Sequence, residues 1–310
     1  MKHTRSRVLP STVKGALLVA AFLLGSVLFQ FSFAQTTVSS QSLEVSPPSQ
    51  EFKADPGQTF VAKAKVRNKG SLTIPVAVRV QDFTATGQEG QVALTEESKY
   101  SVTSWVDVSP KTFTLSPGAS QEVVATVQVP SGAAGGRYGS FVFSVGGGKA
   151  GPGEASVAQE VASLFLIRIS GPVTEKLTIT AFTAPGFTEF GPVSLSITFQ
   201  NNGNVHLKPT GLINIRNIFG KTSADIIFPG ENVFPGVLRI EKAQWDKKFL
   251  LGPYTAQAVL TFGSKNEPIT STVTFFAFPV RLAAAVLLVG FALYLLRKRL
   301  AKAAAALTKP

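Results

Sequence analysis

The chain carries few side chains that catalysis could use. It contains no cysteine, which excludes a disulfide framework, a thiolate metal site and a cysteine nucleophile. Beyond the first 34 residues, His206 is the single histidine available as a base in a Ser-His-Asp arrangement. It directly follows a turn, and no serine lies in a Gly-x-Ser-x-Gly context. The sequence therefore predicts a surface histidine rather than a catalytic one.

The carboxylates are scattered, which argues against paired acid–base chemistry. Glu96 and Glu97 form the one adjacent acidic pair, and no calcium-loop pattern is present. The glycines at 146–148 lack the Gly-Lys-Ser/Thr ending of a phosphate-binding loop, so they predict a hairpin tip. We therefore expect a protein that is not an enzyme and that uses no cofactor and no metal. A carboxylate pair assembled by the fold, as in a wall hydrolase, is the alternative.

Trp105 and Arg137 are the candidates for contact with a ligand. An exposed tryptophan offers a platform for a carbohydrate, and Arg137 with the adjacent Tyr138 offers hydrogen-bond donors. The alternatives are a tryptophan in the core or at a sheet edge, and a structural role for the Arg137-Tyr138 pair.

The basic residues are concentrated at the two ends of the chain. The net charge is +12, from 30 basic and 18 acidic residues. Residues 1–40 hold four of the basic residues and residues 279–310 hold six, with no acidic residue in either segment. The excess charge therefore lies beside apolar segments, as the positive-inside rule expects. Nucleic acid is not a predicted partner.

The C-terminal apolar run predicts a transmembrane helix over 279–296. Starting the helix at Pro279 makes it ~27 Å long, close to the ~30 Å hydrocarbon core of a bilayer. Arg281 lies in the first turn and can extend toward the headgroups. Arg297, Lys298 and Arg299 follow the run and predict a basic cytoplasmic tail, 297–310. A buried core helix is the alternative.

The N-terminal segment, 1–34, predicts a secretory signal peptide. Basic residues precede an apolar run, and small residues at Ser32 and Ala34 suit cleavage after Ala34. An uncleaved signal anchor is the alternative. In both cases residues 35–278 are expected outside the membrane, with the C-terminal tail in the cytoplasm.

The residues between these segments predict an all-β fold of two tandem Ig-like β-sandwich domains, 35–171 and 172–278. Short alternating strands recur, separated by turn residues, and no helical period is present. The polar stretch 84–104 predicts a long connection or insertion. Tyr138 and Tyr254 suit corner positions, with the ring in the core and the hydroxyl bonded to backbone. Three turn and corner signals occur once in each half: Asn68-Lys69-Gly70 and Asn202-Gly203-Asn204; Pro117-Gly118 and Pro235-Gly236; Gly136-Arg137-Tyr138 and Gly252-Pro253-Tyr254.

This layout resembles the WxL-interacting proteins of Gram-positive cell surfaces. The resemblance covers nearly the whole chain and is carried by turn and corner residues: Val45-Ser46-Pro47, Asp55-Pro56-Gly57-Gln58, Asn68, Gly136-Arg137-Tyr138-Gly139-Ser140, Asn202-Gly203-Asn204-Val205, Pro209-Thr210-Gly211, Pro235-Gly236 and Gly252-Pro253-Tyr254. It implies a first domain associated with peptidoglycan and a second associated with host or partner proteins.

The sequence thus favours a single-pass, membrane-anchored cell-surface protein that binds or adheres without catalysis. Its expected partners are the membrane, peptidoglycan and another surface protein. The alternative function is an accessory or assembly subunit of an exported complex. Such a subunit would act through sheet-edge contacts, in which an added strand completes a sheet.

Overall fold

The computed structural model describes residues 42–145 and 159–307, with side chains as far as Lys298. The predicted signal peptide, 1–34, and the predicted glycine hairpin tip, 146–148, lie outside these residues and stay predictions.

The first sandwich consists of two sheets that pack face to face and whose strands are mostly antiparallel. One sheet has the order β1-β3-β8-β6, and the other has the order β2-β10-β9-β4-β5, with β7 paired to the start of β4. A 3₁₀ helix, Thr103–Trp105, precedes β6. The strands are β1 Leu43–Ser46, β2 Ser49–Ala54, β3 Thr59–Asn68, β4 Ile74–Thr86, β5 Gln91–Thr95, β6 Val106–Ser109, β7 Thr112–Leu115, β8 Ser120–Gln128, β9 Gly135–Val145 and β10 Gln159–Ile169.

The second sandwich repeats this arrangement. Its sheets have the orders β11-β13-β16 and β12-β18-β17-β14-β15. As β2 runs parallel to β10 in the first sandwich, β12 runs parallel to β18 in the second. The predicted all-β fold of two tandem Ig-like sandwiches is confirmed. The strands are β11 Leu177–Thr183, β12 Phe187–Thr188, β13 Val193–Asn201, β14 Thr210–Asn217, β15 Thr222–Phe228, β16 Leu238–Trp245, β17 Gly252–Phe262 and β18 Glu267–Ala277.

Alternation along the strands sets which residues form each core. In β3, Ala62, Ala64 and Val66 are buried, whereas the lysines and arginine between them are exposed. A strand turns successive side chains to opposite faces, so this period of two buries one face and hydrates the other. Phenylalanines fill much of the space between the sheets, as Phe141, Phe165 and Phe199 do.

The polar stretch 84–104 is more structured than the sequence predicted. β4 continues to Thr86 and forms a hairpin with β5, so the prediction of a long connection is wrong. Asp82, at the base of this hairpin, is buried, and its carboxylate accepts hydrogen bonds from Thr103 Oγ1 at 2.7 Å and from the Val102 N–H at 2.9 Å. Trp105 ends the 3₁₀ helix directly before β6. β5 is an edge strand that is exposed along most of its length. Its sequence therefore lacks the apolar alternation by which a half-buried strand is predicted.

A buried asparagine closes the same corner in each sandwich. Asn68 Nδ2 donates to the carbonyls of Leu72 and Leu115, and Asn201 Nδ2 donates to those of Val205 and Val233. In each case the side-chain oxygen accepts the N–H of the glycine two residues later, Gly70 or Gly203. The Pro-Gly turn adds a further bond, because Gly118 N–H donates to Asn68 O and Gly236 N–H to Asn201 O.

The repeat therefore aligns Asn68 with Asn201, so the predicted match of Asn68 with Asn202 is wrong. Asn202 is exposed. Gly203 is needed at its position because a Cβ there would lie 2.3 Å from the carbonyl oxygen of Thr174. Both Asn68 and Asn201 are fully buried, so each must bond all its polar groups to avoid a desolvation cost.

The C-terminal helix α1, Val280–Leu307, begins one residue after the predicted start and continues through Arg297, Lys298 and Arg299. The alanines, leucines and lysines of the tail are strong helix formers, which explains the extension. Residues Val280–Lys298 are long and apolar enough to cross a membrane, and none of that span is covered by other described residues. The alternative of a buried core helix is therefore wrong.

We expect Asn201→Ala to destabilise the protein strongly and Asn202→Ala to have little effect. The first change leaves two buried carbonyls and one N–H without a partner, at a cost on the order of 2–4 kcal/mol. The second removes only an exposed side chain, for which a change within ~0.5 kcal/mol is typical. Chemical denaturation of the full chain in detergent measures both, and equal effects would contradict the assignment.

Candidate functional site

The outer face of the larger sheet of the first sandwich is covered by the second sandwich. Phe83 of β4, Tyr138 of β9 and Leu166 of β10 lie on this outward face and are nearly fully buried. Phe234, from the loop before β16, completes the cluster. Strand β9 therefore carries buried residues on both of its faces. This double-sided pattern was visible in the sequence and is the signal that could have identified the contact.

The rings in this cluster meet mostly edge to face. Tyr138 lies 4.9 Å from Phe234 and 5.7 Å from His206, centroid to centroid, and Phe83 lies 5.6 Å from Phe234. Edge-to-face pairs place the positive ring edge on the negative face and add to the burial energy. The cluster joins the two sandwiches through packed aromatic side chains.

Backbone hydrogen bonds align the two sandwiches at the connection between β10 and β11, where the predicted boundary 171/172 lies. Gly136 N–H donates to Asn204 O at 2.8 Å, and the Asn204 side chain bonds Thr174 N–H and Pro172 O. Glycine is needed at position 136, because a Cβ there would lie 2.3 Å from the Tyr138 hydroxyl and 3.2 Å from Asn204 O. Asn204 thus holds the connection and the first sandwich together.

Charged groups close the rim of the junction. Glu175 pairs with Arg168 and accepts a hydrogen bond from Ser264 Oγ at 2.8 Å. Burial alone would raise the pKa of Glu175, but the bonds from Arg168 and Ser264 outweigh it and lower that pKa. At another point of the junction, Lys242 of β16 forms an ion pair with Glu89 of the β4–β5 turn at 2.7 Å. The contacts of Glu175 with Ser264 and of Lys242 with Glu89 were not visible in the sequence, because these partners are far apart along the chain.

His206 lies inside this junction and not at the surface, so the prediction of a surface histidine is wrong. It is 8% exposed and contacts the Tyr138 ring. Burial lowers the pKa of His206 to about 4 and raises the pKa of Tyr138 above its ordinary value. Both groups are therefore neutral at physiological pH. The predicted corner position is wrong for Tyr138, because its ring lies on the outward face of β9 and not in the core between the sheets. Tyr254 does have the predicted hydrogen bond, since its hydroxyl accepts the Leu251 N–H at 3.2 Å.

Trp105 and Arg137, the predicted ligand contacts, lie together. The Arg137 guanidinium lies 5.3 Å from the centre of the Trp105 ring, a cation–π arrangement. Arg137 also donates to the carbonyls of Ala134 and Gly136. These bonds occupy the arginine in supporting the start of β9, and Trp105 is half-buried against the core.

Strand β16 differs from its counterpart in the first sandwich. β8, the counterpart, pairs with β3 on one side and with β6 on the other. β16 pairs with β13, and no strand among residues 42–145 and 159–307 pairs with its other side. We call this side the β16 edge. Within those residues, the β16 edge makes one backbone hydrogen bond: Ile240 N–H donates to the carbonyl of Gln88, in the β4–β5 turn, at 2.6 Å.

A groove of about 450 Å³ follows the β16 edge, with β15 on its far side. Because Ile240 N–H points outward, antiparallel alternation directs the N–H and C=O groups of Lys242 and Gln244 into the same edge. The backbone groups of Glu241 and Ala243 face β13 instead. The groove therefore offers a row of strand hydrogen-bonding groups.

Glu241 and Arg239 point between the sheets beside this groove. Their β13 neighbours in the ladder, Ile197 and Phe199, are fully buried core residues. Glu241 accepts the Glu231 N–H at 3.2 Å, and its carboxylate lies 3.9 Å from Arg239 Nε. Burial raises the pKa of Glu241 to about 7. The Glu241 carboxyl therefore changes charge near neutral pH. Glu231 and Glu241, which are ten residues apart in the sequence, form an acidic pair that the fold brings together beside the groove.

The remaining predicted residues, Arg281, Arg297, Lys298 and Arg299, lie in the C-terminal helix α1. Arg281, in the first turn of α1, is exposed and lies 3.5 Å from Glu189. The Arg297 guanidinium lies over the Tyr294 ring, and Lys298 and Arg299 continue the helix. Within the described part of the chain, no three His, Asp or Glu side chains gather as a metal site would require.

No protein-family model matches the sequence, and no curated protein matches it at a significant level. Among solved structures similar to this chain, the class 5 fimbriae chaperone CfaA is 13% identical with a TM-score of 0.40 and covers 77% of this chain and 100% of its own. The periplasmic chaperone SfaE is 12% identical with a TM-score of 0.34 and covers 76% and 100%. A protein of unknown function from Porphyromonas gingivalis is 14% identical with a TM-score of 0.30 and covers 76% and 99%. Similarity at this level assigns neither ligand nor activity to this chain.

We expect amide hydrogen exchange to alternate along β16. The amides of Glu241 and Ala243 should be protected by pairing with β13, whereas those of Lys242 and Gln244 should exchange rapidly because they face the groove. Residue-resolved exchange on the full chain in detergent tests this. Protection of all four amides would show that the β16 edge is already occupied.

We expect Glu241→Gln to stabilise the protein at pH 8 but not at pH 4. The folded-state pKa of about 7 lies above the ordinary 4.5, so the wild type loses stability as the pH rises through this window. At about 1.4 kcal/mol per pKa unit, the loss at pH 8 is about 3 kcal/mol. Denaturation at several pH values measures it.

Glu89→Gln is the matched control for this experiment. The hydrogen bond from Lys242 lowers the pKa of Glu89, so its contribution is present at neutral pH and is lost on acidification. The two glutamine variants should therefore depend on pH with opposite signs. The same sign for both would contradict the burial of Glu241.

Proposed function

We propose that the chain is a membrane-anchored, non-catalytic binding protein that takes up an extended segment of a protein partner at the β16 edge. The observation that carries this proposal is the unequal construction of the two sandwiches. The strand at this position is covered by β6 in the first sandwich and faces a groove in the second. An added strand would complete the second sandwich as β6 completes the first.

The backbone of β16 supplies the hydrogen bonds for such a segment. Gln88 already bonds Ile240 at the start of the edge, and the outward groups of Lys242 and Gln244 continue the row. A partner strand ~4.8 Å away would meet both residues in regular strand geometry. The β4–β5 turn therefore limits where the partner strand begins.

The charged side chains beside the edge supply selectivity. Inward-pointing charges on an edge strand oppose indiscriminate pairing, since a guest without complementary groups would leave them desolvated. Arg239 and Glu241 are such residues. We therefore infer that the partner segment presents polar groups toward the groove at one or more alternate positions.

The packed junction between the sandwiches favours binding. Tyr138, Phe234 and His206 hold the two sandwiches together, and Gln88 and Glu89 of the first contact β16 of the second. A site whose parts are already ordered avoids an ordering cost when the partner binds.

Membrane anchoring and cell-wall binding have different support. The exposed apolar side chains of α1 support anchoring, and the basic residues that follow support a cytoplasmic C-terminus. Membership of the WxL-interacting family is a proposal that rests on the turn and corner residues. Peptidoglycan binding stays a prediction, and no described groove favours it over a protein segment.

A photo-crosslinking residue at Lys242 in native membranes tests the binding mode. We expect one dominant protein adduct, and we expect Gln244→Pro to reduce its yield by about tenfold. Proline removes an outward N–H and places its ring where the partner strand must approach, at a loss of ~1.4 kcal/mol or more. Proline is tolerated at an edge position, so the sandwich should remain folded.

Gln244→Ala is the matched control, because it removes the side chain and keeps the N–H. It should crosslink as the unmodified chain does. Equal yields from the proline and alanine variants would contradict strand addition. An adduct with glycan alone would favour the wall-binding prediction.

A further inference from the structure

The second sandwich exposes large apolar side chains at the end where α1 begins. The register places the start of β17 beside the end of β18, and the end of β14 at the same level. The loops at this end carry the exposed residues Phe190, Ile218, Phe219, Phe249 and Leu251, and the paired strand residues Phe187 of β12 and Phe276 of β18 are exposed beside them. The other exposed large apolar residues of this sandwich, Leu212, Ile227 and Val259, lie on the outer face of its larger sheet.

Contacts join these loops to the start of the helix. Phe276 N–H donates to Gly186 O and Phe278 N–H to Thr188 O. Arg281 N–H donates to the Glu189 carboxylate. The next residue, Phe190, meets Phe249 edge to face at 5.9 Å. The apolar loops and the helix start therefore form one continuous surface.

The length of α1 brings this surface to the bilayer. Val280 to Leu296 spans ~26 Å at ~1.5 Å per residue, slightly less than the ~30 Å hydrocarbon core. Only Phe278 and Pro279 separate β18 from α1, a reach of at most ~7 Å. A helix that crosses the core therefore holds the end of the sandwich at headgroup depth.

Basic residues accompany the apolar ones. Lys221 follows Phe219 by two residues, and Lys247 and Lys248 directly precede Phe249, all three with exposed side chains. Apolar side chains that enter the interface, with lysines at the headgroups, are the pattern of surfaces that lie on anionic membranes.

We propose that this end of the second sandwich is a lipid-binding surface that inserts Phe219, Phe249 and Leu251 into the interface of the bilayer that α1 crosses. The lysines contact the phosphate groups of anionic phospholipids. This inference rests on the proposed membrane anchorage. The inserted side chains hold the second sandwich at a defined height and orientation, so the β16 edge lies at a constant distance from the membrane.

Site-specific quenching tests the inference on the full chain. Because the protein has no cysteine, Phe219→Cys and Phe249→Cys each give a single position for an environment-sensitive fluorophore. In vesicles of phosphatidylcholine and phosphatidylglycerol with quencher groups on the acyl chains, both labels should lose most of their fluorescence. Lys265→Cys, in the β17–β18 turn at the opposite end of the sandwich, should lose none, because β17 separates it from the surface by ~30 Å.

A label at Leu288→Cys, within α1, separates the two proposals. Quenching at Leu288 without quenching at Phe219 and Phe249 would overturn the lipid-binding surface and leave the anchorage intact. No quenching at Leu288 would overturn the anchorage and with it this inference.

A second set of variants tests the role of the apolar loops themselves. Ile218→Ser with Leu251→Ser should lower the quenching of a label at Phe249→Cys. Leu212→Ser with Ile227→Ser, equally apolar but on the outer sheet face, should leave it unchanged. Equal losses from both pairs would contradict a defined lipid-binding surface.

Discussion

Each sandwich depends on one buried asparagine, Asn68 in the first and Asn201 in the second. At these corners a strand ends, a turn begins and a later turn packs against both, so several backbone groups are buried outside any ladder. The asparagine amide satisfies two carbonyls, and its oxygen satisfies one N–H. Since a buried polar group without a partner costs free energy, this side chain determines how the turns meet.

The second sandwich departs from the first where strand β6 has no counterpart among the described residues. Without that strand, β16 presents backbone groups to a groove, and charged residues occupy inward positions that a closed sandwich would fill with apolar ones. The elevated pKa of Glu241 follows from the same burial. One structural difference therefore accounts for the groove, its hydrogen-bonding groups and its charge near neutral pH.

The junction and the end of the second sandwich where α1 begins lie on opposite sides of the β16 edge. The aromatic cluster around Tyr138 and Phe234 orders the hairpin that borders the groove. At the other end, the apolar loops and α1 would hold the same sandwich against the bilayer. The two-residue connection and the packed junction leave little freedom between α1 and the first sandwich.

The sequence by itself determined the all-β class, the repeat of two sandwiches, and the apolar helix, because alternation, turn residues and hydrophobic length are local properties. It did not mark β5 or β15, since strands at an edge lack a clear apolar face. It placed His206 at the surface and aligned Asn202 in place of Asn201. Only the tertiary structure decided that Tyr138 and His206 are buried and that β16 faces a groove. Burial of an outward face, and the absence of a neighbouring strand, depend on what lies against a surface, and those partners are far apart along the chain.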